Sequence, residues 1–309
     1  MTNILIIAPH ADDEILGCGG AINFYKRKGY KIYVAILTNA NKGDKIKFSE
    51  NYITNVRKES IKAHKYLGIK ETFFYEFPAP YLDQYPIAKI SDELKKLINK
   101  INPQILFIPH LGDAHIDHQI IHKASLIASR PLSPKSIQLI LSYETLSETE
   151  WGVKKDNLYF IPNYYIELSS NDIKKKISAF NFYKSQIKKN NHPRSLNSIK
   201  SLAKYRGSNI SRNFAEAFLL IRNILIMSQP IPIPCSIRKN RTPPTIIDNS
   251  ELLIMGQDRC FPPPNHTPPT DKQQKMTIGS FENKISISNR VYSSSPSKYG
   301  NYFLKASPL

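Results

Sequence analysis

The sequence lacks several features that would place the protein in a specialised class. Its three cysteines, Cys18, Cys235 and Cys260, are too scattered for a disulfide framework or a Cys-x-x-Cys zinc site. No apolar run approaches the roughly 18 residues that span a bilayer. The first apolar run begins too close to Met1 to leave room for a signal peptide. We therefore expect a protein of the reducing cytoplasm without a transmembrane segment.

Acidic residues are scarce relative to basic ones. The chain has 25 Asp and Glu against 43 Lys and Arg, for a formal net charge of +18. Such a charge can attract anionic substrates, membrane surfaces or nucleic acid. However, the basic residues are spread along the chain, and no nucleic-acid-binding motif accompanies them. We interpret most of this charge as solvated basic surface, and we do not expect nucleic acid as a partner.

Apolar strand-like runs alternate with segments of helical spacing. Strands are predicted at 3–8, 31–38, 72–77, 105–108, 137–143, 159–168 and 217–221. Helices are predicted through 21–25 to about Gly29, over 54–67 before Gly68, over 87–101 and over 173–187, with a polar loop at 39–51. Alternation of this kind is typical of βαβ units. We expect a Rossmann-like α/β fold with a mainly parallel sheet covered by helices on both faces.

The character of the sequence changes near Ser228. Residues 228–309 hold more than half of the 22 prolines and show no sustained helical or strand period. Such a segment buries too little apolar surface to offset the entropy lost on ordering. We predict an α/β domain over 1–227 and a disordered, Pro-rich extension over 228–309. A small β-rich addition around 284–292 is the alternative.

A dense polar cluster follows the first apolar run, which ends at Ala8. Its members are one imidazole and three carboxylates, His10, Asp12, Asp13 and Glu14. Open α/β sheets bind ligands at the carboxyl ends of their strands. The glycines at 17–20 also suggest a nucleotide-binding loop, but the acids would repel a pyrophosphate and the Gly-x-Gly-x-x-Gly spacing is absent. The cluster therefore indicates other chemistry at this strand end.

A second polar cluster follows the strand predicted at 105–108. Its members are His110, Asp113, His115, Asp117 and His118. Two such clusters in one sheet can face a single crevice. Two imidazoles and one carboxylate with an open position form a standard catalytic zinc set, and a spare carboxylate can act as general base. A single histidine near a strand end is usually structural, but packing does not readily explain the paired clusters.

Both clusters carry a family resemblance. His10-Ala11-Asp12-Asp13-Glu14 closely resembles the His-Pro-Asp-Asp-Glu signature of the LmbE/PIG-L family of zinc-dependent N-deacetylases, with Ala11 in place of proline. His115-Ile116-Asp117-His118 resembles the family's His-x-Asp-His motif. Further matches are Arg57 and Glu59 ahead of Leu67-Gly68, Tyr143-Glu144, Trp151, Pro162-Asn163, Ser185-Gln186, His192-Pro193-Arg194-Ser195, Arg206-Gly207 and Ala215-Glu216-Ala217-Phe218. The resemblance covers about residues 1–222.

The resemblance implies roles for individual side chains. The Zn²⁺ ligands would be His10, Asp13 and His118, and Asp12 would be the general base. His115 would stabilise the oxyanion or protonate the leaving amine, and Asp117 would orient or tune His115. If residues 115–118 open a helix, His115 and His118 share one face and can approach the same metal.

Three further residues are candidate substrate contacts. Arg57 carries a planar donor fork that suits sugar hydroxyls or a phosphate. Asp83 would accept hydrogen bonds from sugar hydroxyls, and Arg194 would contact an anionic group. For both arginines, an ion pair with Glu59 or another acid is an equal alternative.

These expectations combine into a predicted activity. The resemblance implies a zinc-dependent hydrolase that removes an N-acetyl group from a small-molecule amino sugar of the N-acetylglucosaminyl type. The alternatives are an amidase acting on a sugar–thiol conjugate, and a non-catalytic Rossmann-like module that binds nucleic acid or an anionic membrane surface. The aglycone and the oligomeric state stay open.

Overall fold

A computed structural model describes residues 2–133, 137–152, 155 and 158–225. The strands in these ranges are β1 (Asn3–Ala8), β2 (Lys31–Asn39), β3 (Glu71–Pro78), β4 (Ile105–Pro109), β5 (Leu139–Tyr143), β6 (Tyr164–Glu167) and β7 (Ala215–Asn223). The α-helices are α1 (Asp13–Arg27), α2 (Ala40–Gly43), α3 (Glu50–Leu67), α4 (Ile87–Ile101), α5 (Ile116–Ala128), α6 (Ser170–Phe180) and α7 (Leu196–Ser208), and a 3₁₀ turn lies at Leu82–Gln84.

The strands form one sheet in the order β3-β2-β1-β4-β5-β7-β6. β1 to β5 are parallel, whereas β7 runs antiparallel to both β5 and β6. β1 pairs with β4 through Ile4 with Ile105 and Ile6 with Phe107. The chain leaves β1 towards β2 on one side and later returns to β4 on the other, so the two polar clusters flank the topological switch point where such sheets bind ligands.

The apolar run of β1 is buried on both faces of the sheet. Ile4 and Ile6 lie in a core shared with α1, α3, α6 and α7. Leu5 and Ile7 lie in a second core shared with α4 and α5. A strand buried on both faces needs a continuous rather than an alternating apolar pattern. The predicted mainly parallel α/β sheet with helices on both faces is confirmed.

The glycines after the first polar cluster lie inside α1 and allow close helix packing. A Cβ at Gly17 would come within 2.2 Å of the Tyr143 ring, and one at Gly20 within 2.4 Å of Leu168. The Tyr143 ring lies against α1 at Gly17, and its hydroxyl donates a hydrogen bond to the Ile7 carbonyl of β1 at 2.8 Å. These glycines therefore bring α1 close to the sheet and its neighbours.

Several element boundaries differ from the predictions. The segment predicted as a loop at 39–51 contains α2, and α3 begins at Glu50, where Ser49 Oγ accepts a hydrogen bond from the Tyr52 N–H. The helix predicted over 173–187 ends at Phe180, because turns replace the helical bonds beyond it. α7 was not predicted, since its buried stripe is narrow: Ile199, Ala203 and Gly207.

The predicted domain boundary at 227 and the predicted extension at 228–309 concern residues outside the described ranges. The Pro-rich extension at 228–309 lies there, with Cys235 and Cys260, so the boundary at 227 stays a prediction.

Cys18, the cysteine within the described ranges, is a buried free thiol. Within the ranges that the structure describes, no helix combines the length and apolarity needed to cross a membrane.

Candidate metal centre and catalytic cleft

The loop after β1 is held by the acids that open α1. Asp13 Oδ2 accepts from the His10 N–H at 2.8 Å, and Glu14 Oε2 accepts from the Asp12 N–H at 3.1 Å. Asp12 has a φ of 119°, a conformation that costs a non-glycine residue on the order of 1–3 kcal/mol. Its side chain caps no N–H of α1 and lines the cleft instead. The three consecutive acids therefore have different surroundings.

The second cluster opens α5. His115 is the N-cap residue, and its Nδ1 accepts from the Asp117 N–H at 3.2 Å. His118 follows within the first turn and is fully buried. The rings of His115 and His118 have centroids 5.8 Å apart. The helix therefore begins at the motif, and both imidazoles lie at the same strand end.

His10, Asp13 and His118 form a donor set in which Asp13 and His118 are buried and His10 is partly exposed. Asp13 Oδ2 lies 3.4 Å from His10 Nδ1 and 3.2 Å from His118 Nε2. Although His118 Nε2 lies this close to Asp13, it makes no hydrogen bond of acceptable geometry to any residue in the described ranges, and Asp13 Oδ1 is also buried without a partner among them. Orphaned polar atoms of this kind are costly. Since the three ligand atoms lie within 4.8 Å of one another, the set fits a divalent metal with an open position.

Carboxylates hold both imidazoles of this donor set. Asp113 Oδ2 lies 2.8 Å from His118 Nδ1, and Asp113 Oδ1 accepts from the Thr149 hydroxyl at 2.6 Å. Asp117 Oδ2 lies 3.2 Å from His10 Nε2, closer than the 3.8 Å to His115 Nδ1. Such partners fix ring orientation in metal sites. Asp117 is therefore placed to orient His10 more directly than His115.

A second cluster with metal-ligating spacing shares His10. His10, His115 and Asp117 also bring ligand atoms within 4.8 Å of one another. A neutral imidazole has one nitrogen free to bind a metal, since its other nitrogen carries a proton. The two clusters therefore compete for His10, and the carboxylate behind His118 favours the set with Asp13.

Burial is the largest single influence on the pKa values of three cleft residues, Asp12, His115 and His10. It raises the pKa of the Asp12 carboxyl to about 7, although the Arg194 charge opposes the shift. Burial lowers the pKa of His115 to about 4, reinforced by the charge of His10. Burial also lowers the pKa of His10, but hydrogen bonds to Asp117 and Asp13 outweigh it and raise the value to about 9. Asp12 thus has a pKa suited to a general base near neutral pH.

A cleft of about 220 Å³ opens above the donor set. It is lined by His10, Ala11, Asp12, Ile36, Thr38, Ala40, Phe48, Tyr52, Ile53, Val56, Arg57, Ala79, Pro80, His115, Glu148, Gln186 and Arg194. Asp83, a predicted substrate contact, does not line it and is exposed in the 3₁₀ turn. A larger groove of about 560 Å³, between residues 144–160 and 190–206, contains none of the predicted site residues.

Both predicted arginines line the cleft and also form ion pairs. Arg57 Nη1 lies 2.7 Å from Glu76, whereas Glu59 instead accepts hydrogen bonds from Ser185. Arg194 Nη1 lies 3.2 Å from Asp12 Oδ2, and its Nη2 lies 3.3 Å from Glu148. Arg194 therefore contacts the predicted base itself.

Two residues near the donor set, Glu148 and Thr149, were not predicted from the sequence. Glu148 lines the cleft and pairs with Arg194, and Thr149 donates to Asp113. Both follow β5, the next parallel strand beyond β4. The signal that was available is the acid-rich run at 144–150 directly after a strand, at the same sheet edge as the other clusters.

Comparisons with known proteins agree with this geometry. A family model described as PIG-L: GlcNAc-PI de-N-acetylase matches residues 5–129, which include both polar clusters. The uncharacterized deacetylase YaiS of Escherichia coli is 29% identical over 190 residues, covering 59% of this chain and 90% of YaiS. Probable N-acetyl-alpha-D-glucosaminyl L-malate deacetylase 2 of Bacillus cereus is 28% identical over 129 residues, 40% of this chain and 58% of that protein.

A solved structure shares the fold. The conserved protein TT1542 from Thermus thermophilus superimposes with a TM-score of 0.59 at 23% sequence identity. The match covers 75% of this chain and 100% of that chain. At this level of identity the similarity establishes the architecture alone.

Proposed function

Because the chain belongs to the PIG-L (LmbE) family through the domain matched at residues 5–129, we propose that it is a zinc-dependent hydrolase that removes the acetyl group from an N-acetylglucosaminyl substrate. The observation that carries the proposal is the donor set with Asp12 beside it. Among the residues that the structure describes, His118 Nε2 and Asp13 Oδ1 are buried without hydrogen-bond partners, and Asp12 lines the adjoining cleft.

In this proposal His10, Asp13 and His118 hold Zn²⁺. When bound, the ion lowers the pKa of a water molecule and polarises the amide carbonyl. Asp12 accepts the proton of the attacking water as a new C–O bond forms. His115 donates a hydrogen bond to the oxygen on which negative charge develops. The C–N bond then breaks, and the proton passes to the leaving amine, which gives acetate and a free amino sugar.

Support for a small amino-sugar substrate comes from the cleft and from the relatives. The cleft of about 220 Å³ combines an apolar wall, including Phe48, Tyr52 and Val56, with the guanidinium of Arg57. A planar donor fork suits hydroxyl or anionic groups on the part of the substrate beyond the acetamide. The names of both relatives describe deacetylases.

Acetate release tests the proposal directly. Full-length protein is stripped of metal, reloaded with Zn²⁺ or another divalent cation, and incubated with a panel of N-acetylglucosaminyl compounds. We expect stoichiometric metal uptake and metal-dependent release of acetate from at least one compound. Failure to take up a divalent ion would contradict the metal centre. Metal uptake without acetate release from any compound would contradict the substrate class.

A further inference from the structure

Glu14 is a buried carboxylate that the proposed reaction does not use. Its side chain is inaccessible to solvent, and both oxygens are engaged. Oε2 accepts from the Asp12 N–H at 3.1 Å, and Oε1 lies 2.9 Å from His64 Nε2 and accepts from the Tyr183 hydroxyl. A buried carboxylate needs donors of this kind. Glu14 therefore lies behind the loop at 10–12, tied to two other parts of the chain.

His64 bonds to Glu14 through one ring nitrogen and to Thr72 through the other. His64 is buried, and its Nδ1 lies 2.8 Å from Thr72 Oγ1. A carboxylate only accepts hydrogen bonds, whereas a hydroxyl can donate or accept. His64 Nε2 therefore donates to Glu14, and Nδ1 shares a hydrogen bond with the Thr72 hydroxyl. The network runs from Thr72 in β3 through His64 in α3 to Glu14 in α1.

This network ends at the residue with the least favourable backbone conformation near the cleft. Asp12 adopts φ 119°, and its N–H is the group that Glu14 binds. A strained conformation persists only where its surroundings over-determine it. Glu14 can hold the Asp12 N–H only if its own carboxylate is fixed, and His64 and Tyr183 are the side chains that fix it.

We propose that His64 and Tyr183 are positioning residues that act through Glu14 to hold Asp12 in its catalytic geometry. The catalytic consequence rests on the proposed function, whereas the structural consequence does not. His64 lies outside both polar clusters, on the buried side of α3.

Substitution of His64 separates positioning from stability. His64→Leu removes both hydrogen bonds, whereas His64→Gln keeps an amide donor that can reach Glu14. Because a misplacement of about 1 Å can cost ~10²-fold, we expect kcat to fall about 10- to 100-fold in His64→Leu. KM and metal content should stay unchanged. His64→Gln should recover most of the loss. A glutamine variant no better than the leucine variant would overturn the proposal.

A matched control in β7 contacts the same helix, α1. Glu216 is also buried, accepts from the Gly20 and Ala21 N–H groups of α1 at 2.8 and 2.6 Å, and pairs with Lys176. Glu216→Gln should lower Tm without lowering kcat. An equal loss of kcat in this control would show that any disturbance of α1 suffices, and would overturn the proposal. If His64→Leu fails to fold, Tyr183→Phe, which removes one hydroxyl, should lower kcat in the same way, and unchanged kcat would contradict the proposal.

Crystal structures of wild type and His64→Leu give a readout independent of activity. We expect the backbone at Asp12 to move and Asp12 to leave its positive φ in the variant, while His10 stays in the donor set. An unmoved Asp12 would overturn the positioning role. If wild type releases no acetate from any substrate but Asp12 moves in the variant, the proposed function fails and the positioning role stands.

Discussion

The proposed metal side and the proposed substrate side of the cleft are built differently. The metal side comes from two loops on adjacent strands, and Asp13 and His118 are completely buried there. The proposed substrate side comes mainly from α3 and the segment that precedes it, and the Arg57 side chain of α3 is 26% exposed and pairs with Glu76, itself 49% exposed. Buried hydrogen bonds fix the first, whereas the second depends on partly exposed side chains. We therefore expect substitutions on the first to affect the chemistry and substitutions on the second to affect substrate binding.

The largest effect should come from the metal side. His118→Ala removes a proposed ligand and leaves Asp13 buried without it, so bound metal and acetate release should both be lost. Metal analysis of the purified variant checks the first. His122→Gln is the matched control, because His122 is a buried histidine one turn along α5 whose Nδ1 bonds to the Pro109 carbonyl. Metal loss in His122→Gln would mean that α5 as a whole, rather than His118, holds the ion.

A smaller effect is expected from Asp113, the carboxylate that contacts the proposed ligand His118. Asp113→Asn weakens the hold on His118 Nδ1 without removing a ligand. Changes of this kind lower metal affinity about 10- to 100-fold. Titration against a competing chelator measures that affinity, and acetate release should return close to wild type at saturating metal. Unaltered affinity would show that Asp113 does not support the site.

On the substrate side, Arg57→Met should affect binding more than chemistry. A hydrogen bond to a charged group contributes about 1.5–3 kcal/mol when buried, and Arg57 is partly exposed. We therefore expect KM to rise about tenfold with kcat nearly unchanged, a pattern that indicates loss of uniform binding. Steady-state kinetics decide this. A fall in kcat with unchanged KM would mean that Arg57 acts in the chemical step rather than in substrate binding.

The smallest effect should come from Asp83→Asn. Asp83 is exposed and does not line the cleft, so KM should change by less than about twofold, as is usual for surface substitutions away from a site. The same kinetic assay applies. A much larger increase in KM would show that the substrate extends past the rim to the 3₁₀ turn.

The difference between the proposed metal side and the proposed substrate side also explains which features could be predicted from the sequence. Strands β1 and β4 were found because continuous apolar runs identify buried parallel strands, and each motif keeps its functional residues within nine positions. The ion pairs of Arg57 with Glu76 and Arg194 with Asp12 join distant segments, so spacing carries no signal for them. Asp83 was chosen for its chemical type, which does not indicate whether a side chain faces a cleft.

In the proposed reaction Asp12, the acid beside the proposed metal ligands, acts as the base. Turnover by Asp12→Asn measures this role, since asparagine tolerates positive φ and leaves the loop and the donor set in place. General-base catalysis contributes typically 10²- to 10⁴-fold. We predict a loss of kcat of about that size with full metal content. Near-wild-type acetate release by metal-loaded Asp12→Asn would contradict the account.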